Sequence, residues 1–257
     1  MRTEDRNSHQ HQTEHQSEDN HLDGELHGKA RIGFIRKVFG IVCAELVFTA
    51  LWVSLVYNSR ALQRLVSGTF LGIIFGVTAF VGTLTLALSR SIARKVPLNY
   101  AILLAVTFST AWSVSYLTIF FPASTILTAA CATAAAVAGI TWYAMTSNAQ
   151  YNYGKAFLYS SLAILGFQLF AIFFLPVDAY NFWLSVLISI STSISILYHA
   201  ESIIGKKQRK YSQDDYICAA MNLYIEIIQL FIEILRILDK LNKNKDEDDK
   251  KKKRNSN

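Results

Sequence analysis

One acidic residue, Glu226, lies near the middle of the apolar run from Tyr216 to Leu238. An ionisable side chain is costly in lipid, and where one occurs it usually marks an ion or proton pathway. Four further polar residues share its helical face at the spacing of about 3.6 residues per turn: Asn222, Gln229, Glu233 and Arg236. We expect this polar face to look inward, into a bundle of helices.

A second polar stripe precedes it, again at helical spacing, and consists of Ser185, Ser189, Thr192, Ser195 and His199. A histidine gains or loses a proton near neutral pH, so a track of hydroxyls that ends at an imidazole suits proton or ion movement. The alternative is that these hydroxyls bond back to carbonyls of their own helix, as Ser and Thr commonly do in membranes. The spacing alone leaves both interpretations open.

The elements that must position these residues are membrane helices. The chain has 257 residues, 52% hydrophobic and 12% aromatic, with only three prolines, which is a composition typical of a membrane protein. Stretches of about 20 residues with little charge have the length that crosses the hydrocarbon core. There are seven of them, near 38–57, 67–88, 98–121, 124–145, 156–175, 180–198 and 216–238. The sequence therefore predicts an all-α membrane protein, a bundle of seven transmembrane helices.

Charge predicts the orientation of this bundle. Lys and Arg beside the predicted helix ends number twelve on the N-terminal side of the membrane, and only Arg60 and Arg64 lie on the other side. The positive-inside rule then puts the N-terminus in the cytoplasm. The basic run from Lys250 to Arg254 would lie outside after seven crossings, whereas a last segment that enters and returns would keep it inside. Because Tyr216 to Leu238 contains neither Gly nor Pro, we favour seven crossings.

The two ends of the chain are polar. Residues 1–31 hold five of the six histidines and almost no apolar side chains, so we expect a disordered cytoplasmic tail before the membrane domain at 32–240. Residues 241–257 form a charged C-terminal tail whose basic end could meet anionic lipid. We expect no secretory signal peptide, so the first helix itself directs insertion.

The last third of the chain carries the most specific pattern. YHAESIIG at 198–205, SQDDY at 212–216 and AAMNLYIEIIQLF at 219–231 resemble the signature of the Bax-inhibitor and Lifeguard family of transmembrane proteins. FIRKVFGIVCAEL at 34–46 and SRSIARKVPLNY at 89–100 resemble the family's first helix and the basic loop before its third. The segment 126–147 is similar in its general sequence pattern to the family's fourth helix.

This resemblance implies a bundle of seven helices with a central, polar-striped seventh helix, in an intracellular membrane such as the endoplasmic reticulum or Golgi. It also implies suppression of cell death and a pH-sensitive calcium leak. In bacterial relatives two facing aspartates, on helices six and seven, regulate that leak. By position these acids fall on His199 and Glu226. The first position is a departure from the family pattern, because an imidazole is a poor ligand for calcium.

Two other acids also depart from the family pattern. Glu201 stands where the family usually has Gln, and it either compensates for the lost acid or is solvated near the helix end. Glu45 lies about a third of the way into the first helix, where the family commonly has Gln. A carboxylate there needs a partner, and Arg90 either reaches inward to it or snorkels to the interface.

Two functions follow. The first is an ion leak gated by His199 and Glu226, with calcium as the transported ion and no resident cofactor. The second is a non-conducting regulator of apoptosis that acts through membrane-embedded partners. An enzyme is not expected, because the sequence contains neither HExxH nor a GxSxG elbow. Membrane lipid is an expected partner and nucleic acid is not.

Overall fold

A computed structural model describes residues 4–88, 95–146, 177–204 and 215–255, with side chains at 31–68, 70–86, 95–146, 181–204 and 215–247. Every regular element in these ranges is an α-helix. In chain order the helices are α1 (Glu4–Asn58), α2 (Arg60–Val66), α3 (Thr69–Leu88), α4 (Leu98–Thr118), α5 (Ala123–Thr146), α6 (Val177–Ile204) and α7 (Tyr216–Asn255).

Five segments in the described part of the chain are helical, long and apolar enough to cross a membrane. They are Arg31–Asn58, Leu98–Thr118, Ala123–Thr146, Asn181–Ile204 and Tyr216–Glu247, and they coincide with five of the predicted spans. The second predicted span corresponds to α2 and α3, which are bent by 69° at their junction and make a sixth span if they are taken together. The predicted span at 156–175 lies outside the described residues. The bundle of seven spans therefore stays a prediction.

Short polar segments and prolines mark the ends of these helices. Ser59 is the N-cap of α2, where its hydroxyl accepts a hydrogen bond from the Leu62 backbone amide at 3.5 Å. Pro97 and Pro122 immediately precede α4 and α5, where the missing backbone donor costs little. The helix bounds do not by themselves separate the tails expected at 1–31 and 241–257 from the membrane domain, so that division also stays a prediction.

The packing centres on α7, which contacts α1, α3, α4, α5 and α6. Its small and aliphatic residues form the largest buried cluster with α1 and α6, and Tyr224 is fully buried against Val114 of α4. The outer surfaces are strongly apolar, with exposed side chains such as Leu51, Phe70 and Leu104. Apolar surface of this extent suits contact with lipid.

Among the glycines whose surroundings are described, Gly82 allows a close approach between α3 and α4. A Cβ atom added at Gly82 would lie 2.4 Å from Cγ2 of Val106. By contrast, the GxxxG spacing of Gly68, Gly72 and Gly76 is typical of helix packing, yet a Cβ at Gly72 or Gly76 would meet nothing within 4 Å. The close contact is therefore at Gly82.

Helix α7 is unbroken, and its two ends reach opposite ends of the bundle. At its start, the Tyr216 hydroxyl lies 2.9 Å from that of Tyr100 at the beginning of α4, and Lys37 of α1 lies 5.4 Å from the Tyr216 ring. Toward its end, Asn242 donates to the Thr125 hydroxyl at the beginning of α5, at 3.3 Å. An unbroken α7 supports a last segment that crosses the membrane, and the side on which the C-terminal tail lies stays a prediction.

Candidate functional site

The two polar stripes meet where α6 packs against α7. The Nδ1 atom of His199 lies 3.0 Å from the carboxylate of Glu226. The His199 side chain is 11% exposed and the Glu226 side chain 17%. The two residues that the sequence singled out as a pair are thus in direct contact, in the interior of the helix bundle.

Ser195 supplies a second hydrogen bond to the same carboxylate, because its hydroxyl donates to Oε1 of Glu226. Other hydroxyls of α6 behave differently. Ser189 donates to the Ser185 carbonyl at 2.9 Å and Ser193 to the Ser189 carbonyl at 2.8 Å. Within the stripe, Ser189 therefore bonds back to its own helix, whereas Ser195 reaches the acid on α7. Proton or ion movement along the stripe stays a prediction.

The surroundings of His199 define where its proton lies. Nδ1 is 3.1 Å from the backbone carbonyl of Ser195 as well as 3.0 Å from Glu226. A carbonyl oxygen and an ionised carboxylate can only accept, so Nδ1 carries a proton and donates to them. The Ser195 hydroxyl and the imidazole Nδ1 then both donate to the same carboxylate, one to each of its oxygens. A further proton on the imidazole makes the contact an ion pair that joins α6 to α7.

The polar face of α7 is only partly buried, so the expectation that all of it looks inward is wrong. Glu226 and Glu233 are seven residues apart and share its inner edge, where Glu233 is 4% exposed. Gln229 and Arg236, also seven apart, share the outer edge and are both exposed. The stripe is wider than the contact with the neighbouring helices, and its outer edge therefore lies outside that contact.

The remaining polar residues of these two helices have local roles. Asn222 is half-buried and donates to the Sγ atom of Cys218, one turn earlier, at 3.7 Å. Arg236 is paired with Glu233 at 3.1 Å. Thr192 is buried on α6, and Glu201 is half-buried near its end. A role for Glu201 as a replacement acid stays a prediction.

Glu45 of α1 has a partner that the sequence did not identify. Its side chain is 5% exposed, and its Oε1 atom lies 2.8 Å from the Thr107 hydroxyl of α4. Next to it, the Thr49 hydroxyl lies 2.8 Å from that of Tyr224 on α7. The sequence contains one signal for this polar cluster. Thr49 follows Glu45 by one helical turn, so the two side chains lie on the same face of α1. Arg90, for which the sequence left both an inward position and snorkelling to the interface open, lies outside the described residues.

The donor set at Glu226 does not fit a resident metal ion. Calcium takes six to eight oxygen ligands, whereas the contact described here offers one carboxylate, one hydroxyl and an imidazole. Within the described ranges, no three His, Cys, Asp or Glu side chains are grouped as a metal site would need. The arrangement suits the exchange of a proton or the brief passage of a cation.

Comparison with known proteins gives one family. The family model described as "Inhibitor of apoptosis-promoting Bax1" matches residues 31–244. In the described part of the chain, this range includes the first four candidate spans, the last one as far as residue 244, and both residues of the His199–Glu226 contact.

Individual relatives match over a similar length of the chain. The chain is 27% identical over 216 residues to the Golgi anti-apoptotic protein of Vaccinia virus (strain Lister), covering 83% of this chain and 87% of the viral protein. It is 28% identical over 215 residues to Protein lifeguard 4 of Mus musculus, with 83% and 87% covered. It is also 30% identical over 213 residues to Protein LIFEGUARD 4 of Arabidopsis thaliana, with 80% and 84% covered.

Proposed function

The chain belongs to the family of inhibitors of apoptosis-promoting Bax1, and we propose that within this family of anti-apoptotic membrane proteins it acts as a proton-sensitive cation leak. The gate is the contact between His199 and Glu226, and calcium is the transported ion. The single observation that carries the proposal is that Ser195 and His199 of α6 both bind the Glu226 carboxylate of α7.

The charge of this contact explains why a leak would be regulated. With a neutral imidazole the site carries one negative charge, and with an imidazolium it carries none. A negative site on a path through the membrane attracts a cation, whereas an ion pair holds α6 and α7 together and offers the cation little. Because the charge of the site depends on whether the imidazole holds a second proton, a leak through this site would be sensitive to protons.

The setting of the gate is part of the same proposal. We infer a bundle of seven spans with α7 at its centre and the N-terminus in the cytoplasm, as the distribution of Lys and Arg indicates. An intracellular membrane, endoplasmic reticulum or Golgi, is supported by the name of the viral relative, a Golgi anti-apoptotic protein. The surrounding lipid is then the protein's first partner.

Calcium efflux from proteoliposomes tests this function. The purified protein is reconstituted with a calcium-sensitive dye outside the vesicles, and efflux is measured for wild type, Glu226→Gln and His199→Asp. Glu226→Gln removes the charge and keeps the shape, so efflux should fall to that of protein-free vesicles. His199→Asp restores two facing acids, which bind calcium better than an imidazole does, so efflux should rise.

Matched variants make the result specific to the gate. Ser193→Ala removes a hydroxyl that bonds only to its own helix among the described contacts, and it should leave efflux unchanged. If wild type and Glu226→Gln both leak at the level of protein-free vesicles, the protein is not a leak.

That outcome would favour the second candidate, a non-conducting regulator that acts through membrane-embedded partners of cell death. The observation in its favour is that this chain has one carboxylate at the contact, where a calcium site would need more oxygen ligands. In that case Glu226 and His199 serve to fix the register of α6 against α7. Protection of cells from death would then survive Glu226→Gln as long as the protein folds.

A further inference from the structure

Glu45 is a buried acid that the proposed gate does not use. It lies on α1, is 5% exposed, and contacts Thr107 of α4. Its second oxygen, Oε2, is buried and has no hydrogen-bond partner among the described residues. No salt bridge joins it to a cation in that part of the chain. An ionised carboxylate placed in this way, inside a membrane bundle, would be very costly.

The hydrogen bonds of Thr107 indicate which form of the acid is present. The Thr107 hydroxyl lies 2.8 Å from the Leu103 carbonyl and 2.8 Å from Oε1 of Glu45. A carbonyl oxygen can only accept, and a hydroxyl has one hydrogen to donate. Thr107 therefore donates either to Glu45 or to Leu103. The cost of burying a carboxylate without a cation favours donation to Leu103, and the hydrogen in the second contact then comes from Glu45. The carboxyl group then donates, which only its protonated form can do.

The groups that face Glu45 from the other packed helix agree with a neutral acid. Thr49 donates to the Glu45 backbone carbonyl at 2.8 Å, which leaves the Tyr224 phenol of α7 to donate to the Thr49 oxygen. Tyr224 is thus a neutral donor whose hydrogen points toward Thr49. Neither Thr107 from α4 nor Tyr224 from α7 brings a positive charge that would stabilise a carboxylate.

We propose that Glu45 is a second proton-binding site, separate from the gate, at which the carboxylate takes a proton from water and holds it as a carboxylic acid. The acid donates to Thr107 and in this way joins α1 to α4. The inference does not depend on the proposed leak, because it rests on contacts of α1, α4 and α7 and makes no use of His199 or Glu226.

Infrared spectroscopy of the intact protein in liposomes tests it. At about pH 7 ordinary carboxyl groups are ionised, so a carboxylic-acid C=O band at that pH reports a protonated buried acid. Labelling with 13C-glutamate assigns the band to glutamate. Wild type should show such a band and Glu45→Gln should lack it. Glu233→Gln is the matched control, since Glu233 is equally buried but paired with Arg236, and should keep the band.

A second variant leaves the acid in place. Thr107→Val removes the acceptor of the proposed hydrogen bond, so the Glu45 band should move to higher frequency without being lost. This measurement decides the question even if Glu45→Gln does not fold. A wild-type spectrum without the band, a band that persists in Glu45→Gln, or a band that Thr107→Val does not move would each overturn the proposal.

Discussion

The imidazole of His199 and the carboxylate of Glu226 lie 3.0 Å apart, across the contact between α6 and α7. A pair of this kind differs from two facing acids in its response to protons. Two acids are both neutral when fully protonated and repel each other when ionised. A histidine and a glutamate attract each other most strongly in between, when the imidazole has gained a proton and the carboxylate has not.

The leak is expected to increase as the pH rises. With a neutral imidazole the site keeps one negative charge and no ion pair, so calcium efflux from proteoliposomes should be larger at about pH 8 than at about pH 5. His199→Gln retains a hydrogen-bond donor but cannot gain a proton, so its efflux should be nearly constant over that range. Ser189→Ala, on the same helix, should keep the pH dependence of wild type. A His199→Gln curve parallel to wild type would contradict the assignment of His199 as the sensor.

The hydrogen bond from Ser195 to Glu226 should appear as a coupling energy between the two residues. A double-mutant cycle with Ser195→Ala and Glu226→Gln, measured by reversible unfolding in mixed micelles, should give about 0.6 to 1.7 kcal/mol, as for hydrogen bonds between other membrane helices. The matching cycle with Ser193→Ala should give almost none, because Ser193 bonds to its own helix. Equal coupling in the two cycles would show that Ser195 does not hold the acid.

Much of this architecture follows from the sequence because the bilayer imposes simple conditions. A span needs a long apolar run, and five of the predicted runs are such helices in the described part of the chain. The meeting of His199 with Glu226 has a different origin. Helical spacing placed each residue on a polar stripe, and the resemblance to the family suggested that the two stripes face each other.

The sequence could not predict which side chains meet across two helices or which stay exposed, because this depends on how each helix is rotated against its neighbours. Thr107 is one of several hydroxyl residues on α4, and only the packing of α4 on α1 selects it as the partner of Glu45. Likewise, Gln229 belongs to the same stripe as Glu226 and yet is exposed. Helical spacing identifies which residues share one face of a helix. How much of that face the neighbouring helices cover depends on how the bundle assembles.

Among the glycines whose surroundings are described, Gly82 should be the one at which a methyl group is least tolerated. Gly82→Ala places a Cβ atom 2.4 Å from Val106, whose β-branched side chain has little rotamer freedom, so we expect a loss of about 1 to 3 kcal/mol in unfolding free energy. Gly72→Ala meets nothing within 4 Å and should be neutral or stabilising, by up to about 1 kcal/mol. Adding Val106→Ala to Gly82→Ala should recover part of the loss. If both glycine variants behave alike, α3 and α4 do not approach closely at Gly82.

The charged C-terminal segment should lie on the opposite side of the membrane from the start of the first span. Helix α7 is unbroken, begins beside Lys37 and Tyr100, and reaches Thr125 at the far end of the bundle. The basic end of the tail, at 250–254, favours the cytoplasm by charge, but turning α7 back would expose unpaired backbone groups to lipid, which is the larger cost.

Cysteine accessibility in sealed vesicles of one orientation measures this arrangement. Arg36→Cys and Lys245→Cys, both at exposed positions, are made separately in a background in which Cys43, Cys131 and Cys218 are replaced by alanine. A membrane-impermeant maleimide should label one variant in intact vesicles and the other only after permeabilisation, with Arg36→Cys on the cytoplasmic side. Each variant labelled after permeabilisation serves as its own control for reactivity. Labelling of both from the same side would mean that α7 does not cross, and the helix contacts at its two ends would then have to form on one face of the membrane.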